Sequence, residues 1–223
     1  MLKQLFENVW VFERDLGLLP GIRLPVRMTI VRLSDGTLFV HSPLRVDDAL
    51  AKEIDALGAV GILAAPSRFH WMFLKKAAER WPRARVFGAL GLETKLRDLT
   101  FDSLPRHGAL DGTDGEIVVR HIEGVPRISE HVFLHHPSRT LLVTDLVFNM
   151  HEADGVLTST FLRAAGAWKK LSHERLFEWL TTDESQKRDA LTEVLAWDFD
   201  RLVMAHGSII ETGARAELAK VFG

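Results

Sequence analysis

The chain has 223 residues, 47% of them hydrophobic and 26% charged, with no cysteine and no tyrosine. Without cysteine there can be no disulfide framework, thiolate metal site or cysteine nucleophile, and without tyrosine there is no phenolic general acid. A net charge of -2, from 28 basic and 30 acidic residues, leaves no electrostatic footprint for nucleic acid or an anionic membrane. Residues 1–8 lack an apolar core and a small-residue cleavage site, so no signal peptide is expected. No uncharged apolar stretch approaches the roughly 20 residues of a membrane helix. The expectation is a cytoplasmic protein, a single domain over 1–223, acting on a small molecule, with its oligomeric state left open.

Along the chain, residues 9–13, 27–33 and 37–41 read as strands, and Ser34-Asp35-Gly36 is a hairpin signal. Helical spacing follows over 46–57, where Val46, Leu50, Ile54 and Leu57 share a face and Gly58 stops the run. A strand is predicted over 60–65, a helix over 70–81 ended by Pro82, and a short strand over 84–87. Residues 92–115 are polar and glycine-rich, and read as loop with one helix at most. Strands follow at 116–121, 131–135 and 141–144, the last two joined by Pro137-Ser138-Arg139. Residues 158–197 carry a helical pattern, opened at Ser172 and again at Thr182-Asp183-Glu184. A strand over 201–205, the turn His206-Gly207-Ser208 and a helix over 212–221 complete the chain. Strands alternating with helices indicate sheet flanked by helices.

Three of these aliphatic runs lead to residues able to hold a metal or move a proton. The run 60–65 leads through Pro66-Ser67-Arg68-Phe69 to His70, the run 140–144 ends on Asp145, and the run 201–205 ends on His206. Chemistry in open α/β sheets collects outside the carboxyl ends of the strands, so His70, Asp145 and His206 form a candidate 2-His-1-carboxylate set. Its net positive charge with a divalent ion favours an anionic or carbonyl substrate. The run 37–40 ends on His41 in the same manner. His135-His136 reads as a surface turn, since adjacent strand residues point to opposite faces, and His107, His121, His151 and His173 as solvent-facing. Ser42 and Ser208 lack the elbow and base of a serine hydrolase, and no phosphate-binding glycine loop is present.

The order of parts resembles the metallo-β-lactamase fold superfamily over nearly the whole chain. The strongest local matches are Arg139-Thr140-Leu141-Leu142-Val143-Thr144-Asp145-Leu146-Val147-Phe148, similar to the segment with that superfamily's bridging aspartate, and Arg201-Leu202-Val203-Met204-Ala205-His206-Gly207, similar to its last ligand. Within the superfamily the chain most resembles a bacterial family named only as a domain of unknown function, number 4336. The resemblance implies an α/β (αββα) sandwich of two mixed sheets flanked by helices. The superfamily motif His-x-His-x-Asp-His, registered on Pro82, falls on Ala65, Ser67, Phe69 and His70, so only His70 survives. A further ligand falls near Arg127 and is lost, with Glu130 or His131 as substitutes.

What remains implies a depleted, at most mononuclear site of His70, Asp145 and His206, with Asp145 the catalytic carboxylate. One divalent ion (zinc, iron or manganese) would then serve hydrolysis of an ester, lactone, thioester or phosphoester by metal-activated water. His41, Ser67, Arg68, Arg127, Glu130 and His131 are the expected substrate or supporting residues. The alternative is a metal-free, non-catalytic binding or interaction protein that keeps the fold.

Overall fold

The computed structural model describes residues 1–153, 155–173 and 175–222. A seven-stranded sheet runs in chain order through β1 (Lys3–Phe6), β2 (Val9–Leu19), β3 (Ile22–Arg32), β4 (Leu38–His41), β5 (Val60–Ala65), β6 (Arg85–Gly88) and β7 (Asp102–Ser103). Its first four strands are antiparallel and its last four parallel. The second sheet adds β8 (His107–Ala109), β9 (Ile117–His121), β10 (His131–His135) and β11 (Thr140–Val143). After a separate small ladder of β12 (Phe148–Asn149) and β13 (Leu171–Ser172), β14 (Arg201–Met204) joins that second sheet parallel to β11. Helices α1 (Asp48–Asp55) and α2 (Leu74–Arg80) belong to the first half. The second half carries α3 (Gly155–Ala165), α4 (Arg175–Leu180), α5 (Glu184–Ala196) and α6 (Ala214–Phe222). No described helix is long and apolar enough to cross a membrane.

The central strands of both sheets are buried on two faces, which is why they read as nearly continuous aliphatic runs. Alternate residues divide between two cores. Val9, Val11, Val31, Phe39, Ile62 and Phe87 meet Val119, Phe133, Leu142 and Val203 between the sheets. The opposite faces of the same strands pack outward. Met28, Ile30, Val40 and Leu63 lie under Leu50, Ile54, Leu74 and Ala77, and Leu134, Leu141, Val143 and Met204 under Leu191, Val194 and Leu218. This is the expected αββα sandwich.

Several boundaries differ from the sequence reading. Strands β2 and β3 are eleven residues each, extending past the core as an antiparallel arm with Asp15 opposite Pro25 and Leu16 opposite Leu24. Charges at Arg14, Asp15 and Arg23 hide this arm because it has no second sheet above it. Helix α2 starts at Leu74 rather than His70. Residues 67–70 instead form a turn in which Ser67 Oγ accepts from the amides of Phe69 (3.3 Å) and His70 (3.2 Å), a side-chain competitor for helix initiation. The helical block over 158–197 is broken by β13, which pairs with a β12 too short to show periodicity. Residues 92–115 hold a single 3-10 turn (Leu92–Thr94) and two edge strands.

Candidate metal centre

Strands β11 and β14 lie side by side, Val143 opposite Met204, so Asp145 and His206 leave the second sheet as neighbours. The turn after β5 brings His70 to them from the first sheet. His70 Nε2 lies 3.3 Å from His206 Nε2, and the Asp145 Oδ1 atom lies 3.5 Å from the first and 3.6 Å from the second. Three donors about 2.0–2.1 Å from one tetrahedral ion stand about 3.3–3.4 Å apart. The observed edges match that spacing to a few tenths of an ångström.

Each donor is fixed from behind. His206 Nδ1 lies 2.8 Å from the Pro25 carbonyl, which can only accept, so Nδ1 carries a proton and Nε2 is the atom turned to the site. The ring stacks on Phe148 at 4.6 Å between centroids. Buried Arg27 holds the loop of His206 by donating to the Met204 carbonyl and, at 2.5 Å, to the Gly207 carbonyl. His70 Nδ1 faces Ser42 Oγ at 2.8 Å. Asp145 Oδ2 accepts from Ser67 Oγ at 3.1 Å, which ties the carboxylate to the turn that presents His70. Glu130, fully buried, accepts from the amides of Thr144 (2.6 Å) and Asp145 (2.8 Å) and so sets the strand end that carries Asp145.

Burial raises the Asp145 carboxyl, but the facing imidazoles of His70 and His206 outweigh it and hold the group below the ordinary carboxylate range. Burial, and then the charge of Asp145, push Glu130 up to about 8 against its two amide bonds. The ionised carboxylate thus faces the Nε2 atoms of both imidazoles, at 3.5 and 3.6 Å. Two imidazoles and one carboxylate at this spacing could hold a metal ion, and the donor set suits zinc, iron or manganese. The residues present fit a single divalent ion.

The other residues singled out in the sequence divide. Ser67 and Glu130 support Asp145, as described. His41 is buried behind the site, edge-on to Phe133 at 5.1 Å, and burial, then His70, lower its pKa to about 3. The Arg68 guanidinium turns to the Pro126 carbonyl at 3.2 Å. Arg127 is exposed. His131 pairs with His121, ring centroids 4.6 Å apart, and its Nδ1 faces the Ser129 carbonyl at 3.2 Å. Two readings are corrected. His121 and His135 are buried rather than solvent-facing or in a surface turn, because their strands have a core on both faces. Ser42 does have an imidazole partner, His70, which lies 28 residues on in sequence. Sequence reasoning missed Pro25, Arg27, Ser42 and Phe148. The one available signal was a lone arginine at the head of an aliphatic strand.

Above the three donors opens a cavity of about 380 Å³. The β2–β3 arm walls it with Leu16, Leu24 and Val26, the turn after β5 with Phe69, Trp71, Met72 and Phe73, and α3 with Phe161. Neither Arg68 nor Arg127 lines it.

Residues 6–92 match the profile of a family described as a domain of unknown function (DUF4336). That segment includes His70 and ends before Asp145. No curated protein matches the sequence. Among solved structures, the metallo-β-lactamase DIM-1 superposes with a TM-score of 0.68 at 13% identity, covering 99% of this chain and 95% of that one. The metallo-β-lactamase FIM-1 from Pseudomonas aeruginosa, in its mono-zinc form, gives 0.63 at 11% identity over 99% and 93%. A metal-soaked Flv1 flavodiiron core from Synechocystis gives 0.69 at 13% over 99% and 59%. The chain therefore has the metallo-β-lactamase fold.

Proposed function

We propose that the chain, working as one domain over 1–223, is a hydrolase of small-molecule substrates that uses one divalent ion. The holding atoms are His70 Nε2, His206 Nε2 and Asp145 Oδ1. The observation that carries this reading is the near-equilateral triangle of those atoms, with edges of 3.3, 3.5 and 3.6 Å. A three-residue donor set is the pattern of catalytic rather than structural zinc sites. When bound, such an ion lowers the pKa of water towards neutrality and polarises a substrate oxygen.

The chain's own residues do the rest. Pro25 and Ser42 orient the two imidazoles, and Ser67 orients the carboxylate. Both Asp145 oxygens are engaged, Oδ1 by the imidazoles and Oδ2 by Ser67, so Asp145 binds and does not shuttle protons. The apolar walls exclude water, which strengthens every charge interaction at the donors.

Metal analysis of protein purified without chelators tests the reading. About one equivalent of metal per chain is expected, with little left in His206→Ala. Metal-free protein that also takes up no added zinc, iron or manganese overturns the hydrolase reading and leaves the fold.

A further inference from the structure

We infer that the cavity over the three donors seats the apolar acyl body of an uncharged carboxylic ester, open-chain or lactone; this rests on the hydrolase reading. Among the described residues, the only ionisable side chains lining the cavity are His70, Asp145 and His206 themselves. All other lining groups are aliphatic or aromatic apart from the Ser42 hydroxyl, which already faces His70. A phosphoester, or a substrate with a free carboxylate on its body, would have to shed its water against this wall without a lysine or arginine to meet it. The two arginines expected from the sequence to meet a substrate do not line the cavity: Arg68 is directed to the Pro126 carbonyl and Arg127 is exposed elsewhere.

The fold builds this wall on purpose-placed elements. The β2–β3 arm beyond the sandwich contributes Leu16, Leu24 and Val26, and α3 closes the far side with Phe161. At about 30 Å³ per water-sized atom, a cavity of 380 Å³ holds roughly a dozen non-hydrogen atoms, enough for an eight-carbon acyl group and part of its alcohol. In the reaction, water oxygen bonds to the acyl carbon, the bond from that carbon to the alcohol oxygen breaks, and one water proton ends on the departing oxygen. The products are the carboxylic acid and the alcohol (one hydroxy acid from a lactone).

Two measurements test the inference. First, calorimetry on chelator-treated protein compares octanamide, octanoate and acetamide as non-hydrolysed probes. Octanamide should bind at least ten-fold tighter than either of the others. Met72→Lys, at a half-exposed position of the cavity wall, should narrow the gap between octanamide and octanoate. Second, metal-loaded protein is assayed on p-nitrophenyl acetate, butyrate and octanoate and on γ-octalactone. The kcat/KM should rise about three- to four-fold per added methylene, and Phe161→Ala should flatten that rise. Octanoate bound as tightly as octanamide, or a flat chain-length profile with turnover intact, overturns the inference and leaves the hydrolase reading. Chain-length-dependent binding with no turnover of any ester sinks the hydrolase reading and leaves the cavity as an apolar binding site.

Discussion

Asp145→Asn separates a metal ligand from a structural carboxylate. The substitution keeps size and shape, and the amide oxygen can still accept from Ser67 Oγ, now at 3.1 Å from Oδ2. It removes the charge that faces two imidazoles at 3.5 and 3.6 Å. In chelator, the loss of those attractions is offset by relief of a buried charge, so the change should stay within about 1 kcal/mol. For a chain of this length that is a shift of about 2–4 °C in Tm. With metal the wild type behaves differently. Free ion at 100 times its Kd adds about 2.7 kcal/mol, or about 5–11 °C at the same conversion. Thermal melts of wild type and mutant, each with chelator and with added zinc, manganese or iron, should show a rise with metal in the wild type alone. A wild type indifferent to both metal and chelator, beside a mutant several kcal/mol weaker in every buffer, would falsify the ligand assignment and make Asp145 a structural partner of two histidines.

Phe69→Asp places a carboxylate on the cavity wall one residue before His70, and metal affinity should rise measurably with the fold intact; unchanged affinity would show that position 69 does not reach the ion. Ser42→Ala removes the group behind His70 Nδ1, and should weaken metal binding about 10- to 100-fold while leaving turnover at saturating metal. Loss of turnover even when metal is saturating would instead make Ser42 a nucleophile. His135 is held neutral by burial, against the pull of Glu116, with its pKa lowered to about 4. The unfolded chain takes up that proton near pH 6.5, so the stabilisation is present above about pH 6.5 and falls away towards pH 4, by up to about 2 kcal/mol between pH 7 and 5. Urea unfolding of His135→Gln at the two pH values should show a smaller acid loss than wild type; equal losses would place the titration elsewhere.

The sequence made legible whatever the burial of whole strands writes into it. Runs such as 60–65 and 201–204 are buried on both faces, so their aliphatic character survives and marks where His70 and His206 emerge. The supports of those residues were not legible, because they act through atoms that leave no side-chain signature. The Pro25 and Gly207 carbonyls are backbone, and nothing in a proline or a glycine announces an acceptor for His206 or Arg27. Ser42 pairs with His70 only because β4 and β5 are parallel neighbours, with His41 opposite Ala64. The β2–β3 arm escaped notice for the converse reason. It is amphipathic towards a cavity, a weaker constraint on composition than a core.

The corner before His70 bears on whether the site is retained or decayed. Where the superfamily motif carries ligands, this chain has Ala65, Ser67 and Phe69, and each has a definite place. Ala65 is wholly buried at the end of β5 in the outer core, where a polar ligand would need a partner. Ser67 binds the Asp145 carboxylate and the amides of Phe69 and His70, so one hydroxyl positions two of the three donors. Phe69 lines the cavity. A site losing its ligands without compensation would leave the remaining donors loosely held, since nothing would preserve bonds with no purpose in the core. Here the second nitrogen of both histidines is engaged, the second oxygen of Asp145 is engaged, and a buried glutamate fixes the strand end behind it. Such supports cost desolvation of Glu130 and a left-handed backbone at Ser42, whose φ is 54°. A fold that only needed a filled corner would reach lower free energy with apolar residues at these positions. That cost supports a rebuilt site for one ion under an apolar roof over a collapsed site for two.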